Sequence, residues 1–192
     1  MKAEFLKAYQ CIRRQGADRL LKWLETTDFF EAPASTKFHG NRPGGLCVHS
    51  VGVFRQLTIL YTAEIKGAEE IIDEDMETIA ICGLLHDICK ANYYKPITES
   101  GRTRYIVEDS LPLGHGEKSL YLIGRHIELT PAEAAAIRWH MGGWDAAVRG
   151  GDQSASKACE RYPLVTLLQM ADMSAAYIDE AKGGGQDAER PQ

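Results

Sequence analysis

Gly83-Leu84-Leu85-His86-Asp87-Ile88-Cys89-Lys90 ends an apolar helical run with an adjacent His and Asp, then sets a Lys one turn further on. Leu84, Leu85 and Ile88 belong in a core. His86 and Asp87 do not, unless something there needs them, because a buried carboxylate without a partner costs several kcal/mol or takes up a proton. A metal ion removes that difficulty. Other polar residues on otherwise apolar helical stretches then become informative: His49, His115, His140 and Asp172.

The helical pattern around this stretch is continuous enough to predict an all-α protein. An amphipathic packing helix spans 3–25, carrying Phe5, Leu6, Tyr9, Ile12, Leu20, Leu21 and Leu24 at helical spacing, with Gly16 kinking or splitting it. Residues 28–45 are rich in turn formers and read as a long loop, whose His39 is more suited to the surface than to a site. A helix over 46–64 places His49 near its start on the side of Val53 and Leu57. Asp73, Glu74 and Asp75 introduce a helix over about 76–90, where acidic groups complement the dipole. Residues 93–107 read as a short β-hairpin insertion, with Pro96 confining its strand to an edge. A helix over 115–128 opens on His115. Thr130, Pro131 and Glu133 form a capping box that starts a helix running to about 141 and ending at Gly142-Gly143. Residues 145–160 read as loop with some helix. Tyr162-Pro163 begins a last helix to about 181, with Asp172 beside its apolar stripe, and a flexible tail occupies 183–192.

Composition narrows the function. The 192 residues suit one domain over 1–192, and the formal net charge of −5 argues against a protein that coats nucleic acid. The five cysteines include no C-x-x-C pair, so zinc-ribbon and thioredoxin-type readings are poor, and reduced thiols in a cytoplasmic protein are expected. No signal peptide or transmembrane run is evident, so no membrane association is expected.

His49, His86, Asp87, His115, His140 and Asp172 come from five predicted helices, which is how a bundle assembles a metal site from inward-facing side chains. Imidazole and carboxylate donors suit one or two divalent ions from Mn, Fe, Mg, Co, Ni and Zn. Two ions would share Asp87. Lys90, four residues after His86, is expected on the same helical face, as a catalytic or substrate-binding cation for phosphate. Lys118, Trp144 and Arg42 are further candidates for substrate binding. His126 is excluded as a ligand beside His115, because eleven helical residues rise roughly 16 Å.

His49, the pair His86-Asp87 and the late Asp172 resemble the H…HD…D pattern of the HD-domain metal-dependent phosphohydrolases, over roughly residues 45–180. His86-Asp87-Ile88-Cys89-Lys90 looks like the HDxxK variant. With His115 and His140 the set is similar to two-metal members, the HD-GYP phosphodiesterases and the HD-domain 3′–5′ exoribonucleases. No Gly-Tyr-Pro follows, which argues against cyclic-di-GMP hydrolysis. Trp139-His140-Met141 stands where two-metal members often carry paired histidines, so the number of ions stays open.

The resemblance implies an HD-type helical bundle and hydrolysis of a phosphate ester, in a nucleotide or small phosphodiester, by metal-bound hydroxide. His49, His86, Asp87 and Asp172 would hold the first ion, and His115 and His140 would join Asp87 at a second. The expected partner is a small phosphorylated substrate, with no stable nucleic-acid partner. Exonuclease or dinucleotide phosphodiesterase activity, or a non-catalytic metal- or nucleotide-binding sensor, are the alternatives.

Overall fold

The computed structural model of the chain describes residues 1–36, 40–67, 70–99 and 102–179. His39, residues 100–101 and the residues beyond 179, which include the expected tail at 183–192, lie outside the described residues. The fold is all-α with one two-stranded insertion.

The first predicted helix is two: α1 (Lys2–Tyr9) and α2 (Ala17–Glu25). Gly16 separates them at φ +96°, and its missing Cβ leaves room for the His126 carbonyl, which would otherwise stand 1.9 Å away. Only glycine meets both requirements. Phe5 of α1 and Leu20 and Leu24 of α2 are fully buried, and Phe5 packs on Phe29 and Phe30 at ring distances of 5.2 and 5.3 Å. The loop that follows is anchored to the next helix, with Leu46 N–H donating to the Ala32 carbonyl at 3.0 Å.

Helix α3 (Gly45–Glu64) packs against α4 (Asp73–Leu85) and α9 (Pro163–Ser174). Helix α4 starts three residues before the predicted point and stops five earlier. Its start is set by Asp75, which accepts from Ile72 N–H at 3.2 Å and from the Tyr61 hydroxyl at 2.8 Å. Its end comes at Asp87, where φ −104° and ψ 19° leave the helix and a 3₁₀ turn covers Ile88–Lys90.

Strands β1 (Tyr94–Glu99) and β2 (Arg102–Val107) form the expected antiparallel hairpin, pairing Tyr94 with Val107. Helix α5 (His115–Gly124) ends four residues before prediction, at its glycine. Helix α6 (Pro131–Trp139) carries the predicted capping box: Glu133 N–H donates to Thr130 Oγ1 at 3.3 Å, and Thr130 N–H donates to Glu133 Oε2 at 2.8 Å.

Residues 145–160 are more helical than expected, forming α7 (Ala146–Arg149) and α8 (Ser154–Arg161). Asp145 caps α7, accepting from Ala147 N–H at 2.8 Å, and Asp152, just ahead of α8, accepts from Ser154 N–H at 2.8 Å. Beyond Ser174 the last helix widens into a π-helical turn over Ala175–Asp179. Leu57, Ile79, Leu84, Leu85, Ile123, Ile137 and Leu168 join in one core between these helices. No described helix is long and apolar enough to cross a membrane.

Candidate metal centre

Four helices that pack on one another bring their awkward polar residues to one point. His49 comes from the first turns of α3, His86 caps the C-terminus of α4 with Asp87 directly after it, His140 caps α6, and Asp172 lies on α9. His49, His86, Asp87 and His140 are almost wholly buried. His49, His86 and Asp172 place one donor atom each within 4.8 Å of one another, and so do His86, Asp87 and His140. His49 Nε2 is 3.0 Å from Asp172 Oδ1 and 3.8 Å from Asp87 Oδ2. His86 Nε2 is 3.6 Å from Asp87 Oδ2 and 4.0 Å from Asp172 Oδ1. His140 Nε2 stands 3.5 Å from Asp87 Oδ1.

The helix ends orient the imidazoles. His86 Nδ1 is 3.0 Å from the Gly83 carbonyl, and His140 Nδ1 is 2.7 Å from the Ile137 carbonyl. A carbonyl only accepts, so in each ring Nδ1 carries the proton and Nε2 of the neutral form offers its lone pair to the cluster. Such a carbonyl contact is the usual outer support of a ligating histidine. Gly83 also sets the depth of His86: a Cβ there would stand 2.6 Å from Phe54 Cα, so α3 and α4 approach closely only because position 83 has no side chain.

Burial and charge oppose one another in this centre. Burial pushes the His86 pKa down to about 4, so this ring is neutral at neutral pH. Its Nε2 is buried without a hydrogen bond, facing carboxylate oxygens that can only accept. Burial also pushes His140 down, but the Asp87 and Asp172 carboxylates outweigh it and raise its pKa. Burial would raise Asp87, yet Lys90, His86 and His140 hold it well below the usual carboxylate range. Asp172 is likewise lowered, chiefly by His49 against burial. Buried imidazole lone pairs and ionised carboxylates turned on one point fit a divalent ion of the first transition row.

His86 belongs to both donor groups, and its Nδ1 is engaged, so its single remaining lone pair can serve one ion only. The predicted second set is not brought together in the same way. His115, first residue of α5, has Nδ1 3.7 Å from Cys89 Sγ and joins neither donor group.

Lys90 differs from expectation in its partner. In the 3₁₀ turn side chains three apart eclipse, so Lys90 meets Asp87 rather than His86. Its Nζ donates to Asp87 Oδ2 at 2.6 Å, and the ammonium is buried. Lys118 is buried too, donating to Asp109 Oδ1 at 2.5 Å beneath the Tyr93 ring. Neither Lys118 nor the exposed Arg42 lines the cavity over the centre.

That cavity holds roughly 430 Å³ and is floored by Asp87, Lys90, His140 and Asp172. This is a size typical of small-molecule sites. Trp144, a predicted substrate contact, lies at its rim, 67% exposed. Asp145, beside it, accepts from Arg138 at 2.8 Å. Arg149, Gln169, Met173 and Tyr177 also line the cavity and escaped the sequence reading. Gln169 precedes Asp172 by three residues, and that helical spacing is the signal that was available for it. Arg149 carries no such signal, because its segment reads as loop with some helix.

A family model described as HD domain matches residues 48–177, a span that includes His49, His86, Asp87, His115, His140 and Asp172. No curated protein and no solved structure matches the chain. With more than half of its length matched and the helical architecture in agreement, the chain belongs to the HD-domain family, in general metal-dependent phosphohydrolases.

Proposed function

We propose that this protein hydrolyses a phosphate ester of a nucleotide or another small phosphorylated molecule, with one divalent ion at the His–Asp centre. The observation that carries this reading is the buried, unbonded His86 Nε2, aimed with Asp87, Asp172 and His49 at one point on a cavity floor. His49, His86, Asp87 and Asp172 would hold the ion. When bound, such an ion lowers the pKa of water and polarises a phosphoryl oxygen.

The chain's own groups supply the rest. Lys90 holds Asp87 ionised and in place, and presents positive charge at the cavity floor for the scissile phosphate. His140 turns its Nε2 toward Asp87 Oδ1 at 3.5 Å and lines the same cavity floor, where it can contact that phosphate. A cavity of roughly 430 Å³ favours a small substrate over a polymer held in an open groove. The five free cysteines suit a reducing compartment, and we assign the protein to the cytoplasm.

The test combines elemental analysis with a panel of phosphomonoesters and phosphodiesters under Mn²⁺, Fe²⁺, Co²⁺, Ni²⁺, Zn²⁺ and Mg²⁺. Asp87→Ala is expected to lose both retained metal and turnover. Full activity of that variant on the substrate found would overturn the mechanism. Metal binding with no turnover across the panel would favour a sensor.

A further inference from the structure

Three cations near the centre are already committed. Lys90 is bound to Asp87, Lys118 to Asp109, and Arg138 to Asp145 and Glu117 at 2.8 and 2.6 Å. Arg149 is different. It ends the short helix α7, is exposed and lines the cavity, and its guanidinium has no carboxylate or hydrogen-bond partner among the described residues. Lys90, although paired with Asp87, still lines the cavity floor beside the metal ligands, where the ester to be cleaved would lie. Arg149 is therefore surplus to the bond being cleaved.

The same rim carries two large aromatic side chains. Trp144 is 67% exposed and Tyr177 is 63% exposed, and both line this cavity. One exposed aromatic residue needs no explanation. Two at the mouth of one cavity, with an unpaired guanidinium, make a surface that stacks on a planar ring and takes up a phosphate. Arginine binds phosphate oxygens through a two-pronged fork, and aromatic faces hold nucleobases without much regard to which base is present.

We infer that Arg149 is a specificity residue that receives a second phosphate of the substrate, remote from the ester that is cleaved, while Trp144 and Tyr177 wall the base. The substrate class is then a nucleotide bearing at least two phosphates, in preference to a nucleoside monophosphate or a simple aryl phosphate. This rests on the proposed phosphohydrolase reading of the same cavity.

The experiment compares the wild type with Arg149→Met, Arg149→Lys and Trp144→Ala, saturated with metal. The probes are a nucleoside 3′,5′-bisphosphate, a nucleoside 5′-diphosphate, the 5′-monophosphate and p-nitrophenyl phosphate. In the wild type at least one doubly phosphorylated nucleotide is preferred, and the preferred one reports where the second phosphate sits. In Arg149→Met the ratio of its kcat/KM to that of p-nitrophenyl phosphate falls by roughly tenfold or more, mostly through KM, as loss of a charged hydrogen-bonding pair implies. Arg149→Lys recovers part of it. An unchanged ratio in Arg149→Met overturns the inference, as does a wild-type preference for the monophosphate.

If no probe is turned over, the function fails and binding still decides Arg149. Nucleotide titrations followed by tryptophan fluorescence, with Trp144→Ala identifying the responding residue, measure affinity directly. Weaker binding of the bisphosphate to Arg149→Met, with the monophosphate less affected, sustains the inference. Equal affinities in both proteins overturn it.

Discussion

Lys90 donates to Asp87 across 2.6 Å with both side chains buried, three residues apart in a 3₁₀ turn. A pair of this kind contributes little net stability against an apolar replacement of both members, but losing one member strands the other's charge at a cost of about 3–5 kcal/mol. A divalent ion bound to the same carboxylate offsets that loss. Lys90→Met is therefore expected to lower the Tm of the chelated protein by on the order of 10 °C. Added metal should restore most of this, while turnover stays depressed because the phosphate has lost its floor cation. Differential scanning calorimetry with chelator and with Mn²⁺ makes the comparison. An equal drop in both would mean that Lys90 supports the fold and not the charge balance of the centre.

His86 sits in both donor groups but has one lone pair to give, and His115 lies against Cys89. The expected stoichiometry after equilibrium dialysis is one ion per chain. His86→Asn should abolish retention, with circular dichroism confirming that the helices remain. His115→Ala should keep the ion. Two ions in the wild type, falling to one in His115→Ala, would restore the two-metal arrangement that the sequence left open.

Much of this centre was legible because its residues break a pattern. His49, His86, Asp87, His140 and Asp172 are polar where helical periodicity calls for apolar groups, and a buried charge needs a reason. The Thr130–Glu133 cap and the hairpin at 94–107 were legible from local chemistry. What escaped depends on departures from α-helical geometry or on long-range partners. The break at Asp87, which moves Lys90 from the side of His86 to that of Asp87, carries no proline or glycine to announce it. Lys118 reads as a phosphate contact from its place near His115, whereas Asp109, nine residues away, holds its ammonium. Helices α7 and α8 are hidden by the glycines between them, and each is introduced only by a single aspartate, Asp145 as the cap of α7 and Asp152 just ahead of α8.

Gly83 lets α3 and α4 meet and hands its carbonyl to His86. The Cβ in Gly83→Ala would meet Phe54 backbone atoms, which cannot swing aside as a side chain would. Helix propensity alone would favour alanine by up to about 1 kcal/mol. The clash should reverse that sign, as overpacking costs about 1–3 kcal/mol. The expected result is a lower urea midpoint together with weaker metal binding, since His86 moves with its carbonyl. A stabilised variant with unchanged metal affinity would show that the two helices separate freely and that the spacing does not set the centre.

Arg14, in the segment between α1 and α2, reaches across the fold to the fully buried Glu133 with two hydrogen bonds, at 2.6 and 3.0 Å. Thr78 and Thr130 complete the carboxylate's partners at 2.9 and 2.8 Å. Burial would raise the Glu133 pKa, but Arg14 and these donors outweigh it and lower it. A carboxyl with a depressed folded pKa adds stability that is fully present above its unfolded value of about 4.3. That contribution is lost as pH falls through the lower folded value. Arg14→Met leaves the carboxylate buried with only the two threonine donors, and Glu133 then resists ionisation. The variant should lie close to the wild type in strong acid, where Glu133 is protonated in both. The gap should widen with rising pH to about 2 kcal/mol at neutrality, below the full value for a buried pair because the Arg14 side chain keeps 20% of its surface. Urea unfolding from pH 3 to pH 8 measures it. Because Glu133 lies in the first turn of α6 and His140 caps that helix, metal affinity should fall along with stability. A pH-independent gap would assign Arg14 to packing rather than to charge.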